Sequence, residues 1–219
     1  MSLLEEQDTY YRERVPQQFN RTLATQRAHA YRQADAPVPA ATRVLEEMEA
    51  VRTSIVVQVD TGTDLRRHVF EIDRGEMSYL DAADAQPARP PFLILGHALE
   101  DFENLRRECG DSLLGFLGGL AGHQDEMLLT SQRVRSLREL GGSLVFERVG
   151  KAGFVLFAHF GVEAPAAEPR ATIRIDEATY QQLRQGEIDP QDAFLSGRVE
   201  ITGDESMAIG LALAAASPD

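Results

Sequence analysis

From Ser54 to Asp60 the chain reads SIVVQVD, and from Ser143 to Val149 it reads SLVFERV. Both are runs of strand length, rich in β-branched and aromatic residues. A second run follows each, HVFEID (His68–Asp73) and GFVLFAHF (Gly153–Phe160), so each pair predicts a β-rich segment. The first pair adds a third strand, EMSYLD, ahead of the proline-rich 87–91, whereas the second passes through EAPAAEP at 163–169. A further strand follows in each half, FLILG (Phe92–Gly96) and ATIRI (Ala171–Ile175).

Helix signals flank these strands. Arg43-Val44 and Arg133-Val134 lie on helices that lead into the two β-rich segments. Asp176 is placed to cap the helix EATYQQLRQ, with Tyr180 and Leu183 facing inward and Gly186 closing it. Asp189-Pro190 opens the next helix, because Asp accepts from free amides and Pro suits the first helical position; Gly197 ends it. Then RVEIT (Arg198–Thr202) alternates as a strand, Gly203-Asp204 turns, and Ser206–Ala216 reads as an apolar helix. The matching stretch of the first half, GLAGHQDEMLLT, lacks that alternation and predicts a lost or remodelled closing strand. Residues 1–35 predict a helix that starts at Pro16 and carries a thin stripe of Phe19, Leu23, Ala24, Ala28 and Tyr31. APVPAA at 36–41 breaks it and reads as a linker.

The second half repeats the first. A shift of 78 positions carries Pro91 onto Pro169, Leu95 onto Ile173, Phe102 onto Tyr180 and Leu105 onto Leu183. It also carries Asp111 onto Asp189, Phe116 onto Phe194, Leu117 onto Leu195 and Gly119 onto Gly197. Before the hairpins the offset is near 89, so the first unit holds about eleven more residues, and extra hairpin length is cheap in stability. The expected organisation is an N-terminal helix and linker (1–41), a degenerate first unit (42–125) and a second unit (126–219).

With 219 residues the chain can bury a sizeable core. Net charge is −13, from 35 acidic against 22 basic side chains, and the basic residues form no stripe. Such a surface repels nucleic-acid phosphates and anionic headgroups, so nucleic acid is not an expected partner and membrane contact is at most transient. No apolar run is long enough to cross a bilayer, and MSLLEEQDTYYRERV is too acidic for a signal peptide. A single cysteine, Cys109, allows no internal disulfide and suits a reducing compartment, so the cytoplasm is expected.

The second unit resembles the sterol carrier protein family, also called the sterol-binding domain, with its GxLxPQxAFxSGKLxIxGD stretch. The residues that carry the likeness are Gly186, Ile188, Pro190, Gln191, Ala193, Phe194, Ser196, Gly197, Val199, Ile201, Gly203 and Asp204. Arg198 stands where the family has lysine. Met207, Ala208, Ile209, Leu211 and Leu213 correspond to its apolar closing helix. The resemblance implies an α+β fold of two tandem sterol-carrier-like units, each a mostly antiparallel twisted sheet covered by helices, with an N-terminal helical extension. It also implies an apolar tunnel in the second unit that takes a fatty acyl chain, a sterol or a similar hydrophobic molecule. The expected wall is Phe154, Leu156, Phe194, Leu195, Val199, Ile201, Met207, Ile209, Leu211 and Leu213.

Other chemistry finds little support. His29, His68, His97, His123 and His159 form no metal spacing, and His159 is expected to be a satisfied structural residue. Arg106 and Arg107 could lower the pKa of Cys109, but no histidine stands near it in sequence. No serine carries a nucleophile elbow. DSLLGFLGGLAG (111–122) lacks the Gly-Lys-Ser/Thr of a phosphate loop; it is read as packing between the units, with membrane contact as the other reading. No catalytic residue, metal or cofactor is therefore expected. The leading reading is a non-enzymatic lipid carrier. The alternatives are an interaction scaffold with collapsed pockets and an accessory or enzymatic protein of lipid or polyketide metabolism; the oligomeric state is left open.

Overall fold

A computed structural model of the chain describes residues 2–32, 40–81, 86–120 and 127–216. The N-terminal arm is one continuous helical run, α1 (Leu3–Thr9), a π-helical turn (Tyr10–Arg14) and α2 (Val15–Arg32). It starts at Ser2, whose side chain accepts from Glu5 N–H in a capping box, and not at Pro16. Val15 N–H reaches back five residues to Tyr10 O. This wider turn precedes Pro16, which has no N–H of its own to give to the helix. It also alters the phase of the helix, so the buried face is Tyr10, Tyr11, Val15, Leu23 and Ala30. Of the predicted stripe, Leu23 is buried and Phe19 half-buried, while Ala24, Ala28 and Tyr31 face solvent. Of the predicted linker 36–41, residues 36–39 lie outside the described residues, as do 33–35 before it.

Two similar runs follow. The first is α3 (Ala40–Glu49), β1 (Arg52–Asp60), β2 (Leu65–Asp73), β3 (Glu76–Leu80), β4 (Pro91–Ala98), α4 (Phe102–Cys109) and α5 (Gly115–Leu120). The second is α6 (Ser131–Glu139), β5 (Gly142–Val149), β6 (Phe154–Phe160), β7 (Ala171–Asp176), α7 (Glu177–Arg184), α8 (Pro190–Leu195), β8 (Val199–Gly203) and α9 (Glu205–Ala216). The strands form one open sheet in the order β3-β2-β1-β4-β6-β5-β7-β8. Two separate sheets were expected, and the antiparallel β4–β6 ladder, with Leu93 opposite Phe160 and Leu95 opposite Ala158, joins them.

Connectivity and register recur. In the first half β1 runs antiparallel to β2 and parallel to β4, with Ile55 opposite Leu93 and Val57 opposite Leu95. In the second, β5 runs antiparallel to β6 and parallel to β7, with Leu144 opposite Ala171 and Phe146 opposite Ile173. Alternate strand residues, among them Ile55, Val57, Leu95, Phe146 and Ile173, meet the inward residues of the helices in a single apolar core. Within the described part of 111–122, Leu114, Phe116 and Leu117 are buried in that core, where α5 packs on α7 and α9. This is the expected packing between the halves. Among the described residues no helix is long and apolar enough to cross a membrane.

Candidate functional site

The open end of the second half is built by β7, β8 and three helices. Asp176 caps α7 by accepting from Thr179 N–H at 2.9 Å and Thr179 Oγ1–H at 2.7 Å, which holds its carboxyl below the usual range. That fixes α7 with Tyr180 and Leu183 buried against the sheet. Asp189 accepts from Gln191 N–H at 2.8 Å and starts α8 at Pro190. Gly203, at φ +88°, closes β8 where a Cβ would stand 2.3 Å from Arg170 O, so no side chain fits there. Asp204 then caps α9, accepting from Met207 N–H at 3.2 Å and pairing with Arg170. The Ser206 hydroxyl, the Arg170 guanidinium and the Met207 amide hold its carboxyl down at about 2.

The helix α9 is apolar all round, and its two sides do different things. Met207, Leu211, Ala214 and Ala215 are buried in the core. Ala208, Ile209, Ala212 and Leu213 face the other way, over a cavity of about 560 Å³. Gly210 lets the helix settle on α6, since a Cβ there would meet Leu140 at 2.9 Å. The rest of the wall is Ile173, Leu183, Asp189, Pro190, Gln191, Phe194, Leu195, Val199 and Ile201. The volume lies in the range of small-molecule sites, and the lining is apolar except for Asp189 and Gln191. Among the described residues no cation lines it: nearby Arg184 pairs with Glu108 at 3.3 Å, and Arg198 donates to Gln182 Oε1 at 3.0 Å.

Of the ten wall residues expected from the sequence, Phe194, Leu195, Val199, Ile201, Ile209 and Leu213 line this cavity. Met207 and Leu211 are on the core side of α9. Phe154 and Leu156 are on β6, separated from β7 by β5; Phe154 packs on Phe146. The predicted wall missed Ile173, Leu183, Asp189, Pro190, Gln191, Ala208 and Ala212. Tyr180 and Leu183 had been placed inward by helical spacing, and Ile173 by its place in the repeat, so part of the signal was present.

His159 and Cys109 are the residues weighed for other chemistry. His159 accepts from Ser143 Oγ–H at Nδ1 (2.8 Å) and donates from Nε2 to Glu163 O (2.8 Å), which ties together two neighbouring strands. Cys109 is not activated by its arginines: Arg106 pairs with Glu6, Arg107 donates to Asn104, and burial pushes the thiol up to about 12. His123 lies outside the described residues. Among the described residues no group of three or more His, Cys, Asp or Glu side chains could hold a metal ion.

Fold and site together define an α+β domain with an open apolar cavity of ligand size under its last helix. Residues 133–215 match the family model of the SCP-2 sterol transfer family. Residues before 133 lie outside that match. Similar solved structures include apo sterol carrier protein 2 from Yarrowia lipolytica, 20% identical over 36% of this chain and 75% of that one, with a TM-score of 0.28. Sterol carrier protein 2 like 2 from Aedes aegypti is 20% identical over 34% of this chain and 74% of the other, also with a TM-score of 0.28. No curated protein matches the chain. The family match supports a lipid-binding or lipid-transfer role in general terms.

Proposed function

We propose that this chain binds and carries a hydrophobic small molecule, such as a fatty acyl chain or a sterol, in the cavity between α7, α8, β8 and α9, without catalysing a reaction on it. One observation carries the reading. Among the described residues seven large hydrophobic side chains are exposed, and three of them, Leu195, Ile209 and Leu213, converge on this one cavity. Isolated exposed hydrophobics are ordinary, but a cluster around a concave apolar wall marks a binding surface.

The energetics are adequate without a polar anchor. About 16 methylenes buried at roughly 0.8 kcal/mol each gain about 13 kcal/mol. Association costs on the order of 4 kcal/mol or more, so the balance reaches the micromolar range. Entry needs only the ligand to pass Leu195 and Leu213, which stand at the open side at 71% and 65% exposure. We also read the two halves as copies of one ancestral unit, on the strength of their shared connectivity and register.

Native mass spectrometry and solvent extraction of the purified protein test the proposal. A bound hydrophobic molecule, or uptake of a fluorescent fatty acid to one per chain, is the expected result. Protein that is always empty and takes up no such probe would refute it.

A further inference from the structure

The shift of 78 positions carries the open cavity onto a second place in the molecule. Ile173 falls on Leu95, Leu183 on Leu105, Pro190 on Ser112 and Phe194 on Phe116. All four counterparts line one void of about 30 Å³, room for a single water. Tyr10 and Tyr11, from the π-helical turn of the N-terminal arm, line the same void and are buried. The first half thus has the wall of a pocket, and the chain's own N-terminus fills it.

The plug has the outline of a ligand. In a regular helix adjacent side chains diverge by about 100°, whereas the π-helical turn aims both rings inward, with their centroids 5.0 Å apart. Their hydroxyls end on acceptors. Tyr10 donates to Gly110 O at 2.8 Å. His97 Nδ1 lies 2.8 Å from Ala98 O, and a carbonyl only accepts, so Nδ1 holds the hydrogen and Nε2 is a bare acceptor. Tyr11 therefore donates to His97 Nε2, at 2.6 Å. Burial keeps that imidazole below its ordinary pKa, which favours the neutral, accepting form. At the rim Arg106 is held by Glu6, on the same arm. The arm thus brings Tyr10, Tyr11 and Glu6 to this pocket.

We infer that the first half holds a second apolar pocket, occupied in this state by Tyr10 and Tyr11, and that it accepts a hydroxylated aromatic or alicyclic molecule in their place. Two acceptors at the end of an apolar cleft select a hydroxyl donor over the bare hydrocarbon. The site is distinct from the open cavity and does not depend on that cavity binding anything. In the intact chain its apparent affinity is reduced by the fraction of time the arm spends undocked.

The test uses the full chain with Ala212→Trp, which narrows the open cavity, and reads any gain over that chain as binding in the first half. With Tyr10→Ala and Tyr11→Ala added, 2-naphthol should bind at one per chain, where the Ala212→Trp chain alone binds none at the same concentration. Naphthalene should bind about tenfold more weakly, the loss of one or two net hydrogen bonds. The milder Tyr11→Ala chain should show the same gain if the double change prevents folding, as judged by circular dichroism. Hydrogen exchange of the wild-type arm is the second readout: millimolar 2-naphthol should speed exchange across residues 3–20. No uptake by a folded variant would overturn the inference, as would equal uptake of naphthalene. If neither variant folds, unchanged exchange in the wild-type arm would overturn it. A chain whose open cavity binds nothing, but which still gains naphthol on loss of the tyrosines, would refute the carrier proposal and leave this one standing.

Discussion

Glu108 joins the two halves electrostatically, and replacing it with glutamine should cost more stability than any surface ion pair would. Its carboxylate, on α4, accepts from Arg148 Nη1 at 2.9 Å, Gln181 Nε2 at 2.9 Å and Arg184 Nη1 at 3.3 Å, from β5 and α7. The Arg148 side chain is 0% exposed and that of Glu108 6%. Among the described residues Arg148 has one other carboxylate within reach, Glu177 at 3.9 Å and 47% exposed, which neutralises it only weakly. Glu108→Gln keeps the shape and leaves a buried guanidinium uncompensated, a loss of about 3–5 kcal/mol. With an m-value of roughly 2 kcal/mol/M, the urea midpoint should fall by about 2 M. The double change Glu108→Leu with Arg148→Met removes both charges and should cost less than Glu108→Gln alone, because an apolar pair of similar volume needs no desolvation. A Glu108→Gln shift equivalent to under about 1 kcal/mol, or a double variant worse than the single, would refute this assignment of the junction.

Ala212→Trp should lower uptake of a fluorescent fatty acid by more than tenfold while leaving the melting temperature within a few degrees, since Ala212 faces the cavity and not the core; unchanged uptake would place the site elsewhere. Acidification should undock the N-terminal arm. His68, buried against Gln7 and Tyr79, is held at about 4 chiefly by burial and His97 is lowered for the same reason, with Asp8 and Asp101 opposing weakly. The unfolded chain therefore binds protons that the folded one refuses as pH falls from about 6.5 to 4. Stability is complete above that window and should drop through it, by on the order of 3 kcal/mol for His68, and thermal melts at pH 7 and pH 4.5 check this. Finally, Cys109 should react with a thiol reagent at pH 8 roughly a thousandfold more slowly than an exposed cysteine, because burial puts its thiol near 12; rapid labelling of the folded protein would contradict that.

What the sequence makes legible here is local. Strand alternation, the Asp176 and Asp189 caps and the glycine at 203 each act within a few residues, and each stands where the pattern put it. The cavity is legible in part, because Phe194, Leu195, Val199 and Ile201 follow from α8 and β8. The inner and outer sides of α9 are not, since a helix that is apolar all round has no polar face to reveal its orientation. Hence Met207 and Leu211 looked equivalent to Ile209 and Leu213, and the small residues Ala208 and Ala212, which leave the space, carried no signal. The arm misled for a different reason. A periodicity of 3.6 does not persist through a π-helical turn, so Tyr10 and Tyr11, its most buried rings, fell outside the stripe.

The fusion of the sheet has a physical logic that spacing could not show. The first half has β3 beside β2, and the second has β8 beside β7; among the described residues neither strand has a counterpart in the other half. Each half therefore lacks one strand, on the side that faces the other. At the seam β4 stands beside β6 where a third strand would stand, and β6 stands beside β4 where a closing strand would stand. Unpaired edges with free amides and carbonyls promote aggregation, and here each half covers the edge of the other. The same complementarity extends to the helical layer. In the second half α9 roofs its own cavity; the first half has the N-terminal arm in its pocket, and the pocket is closed.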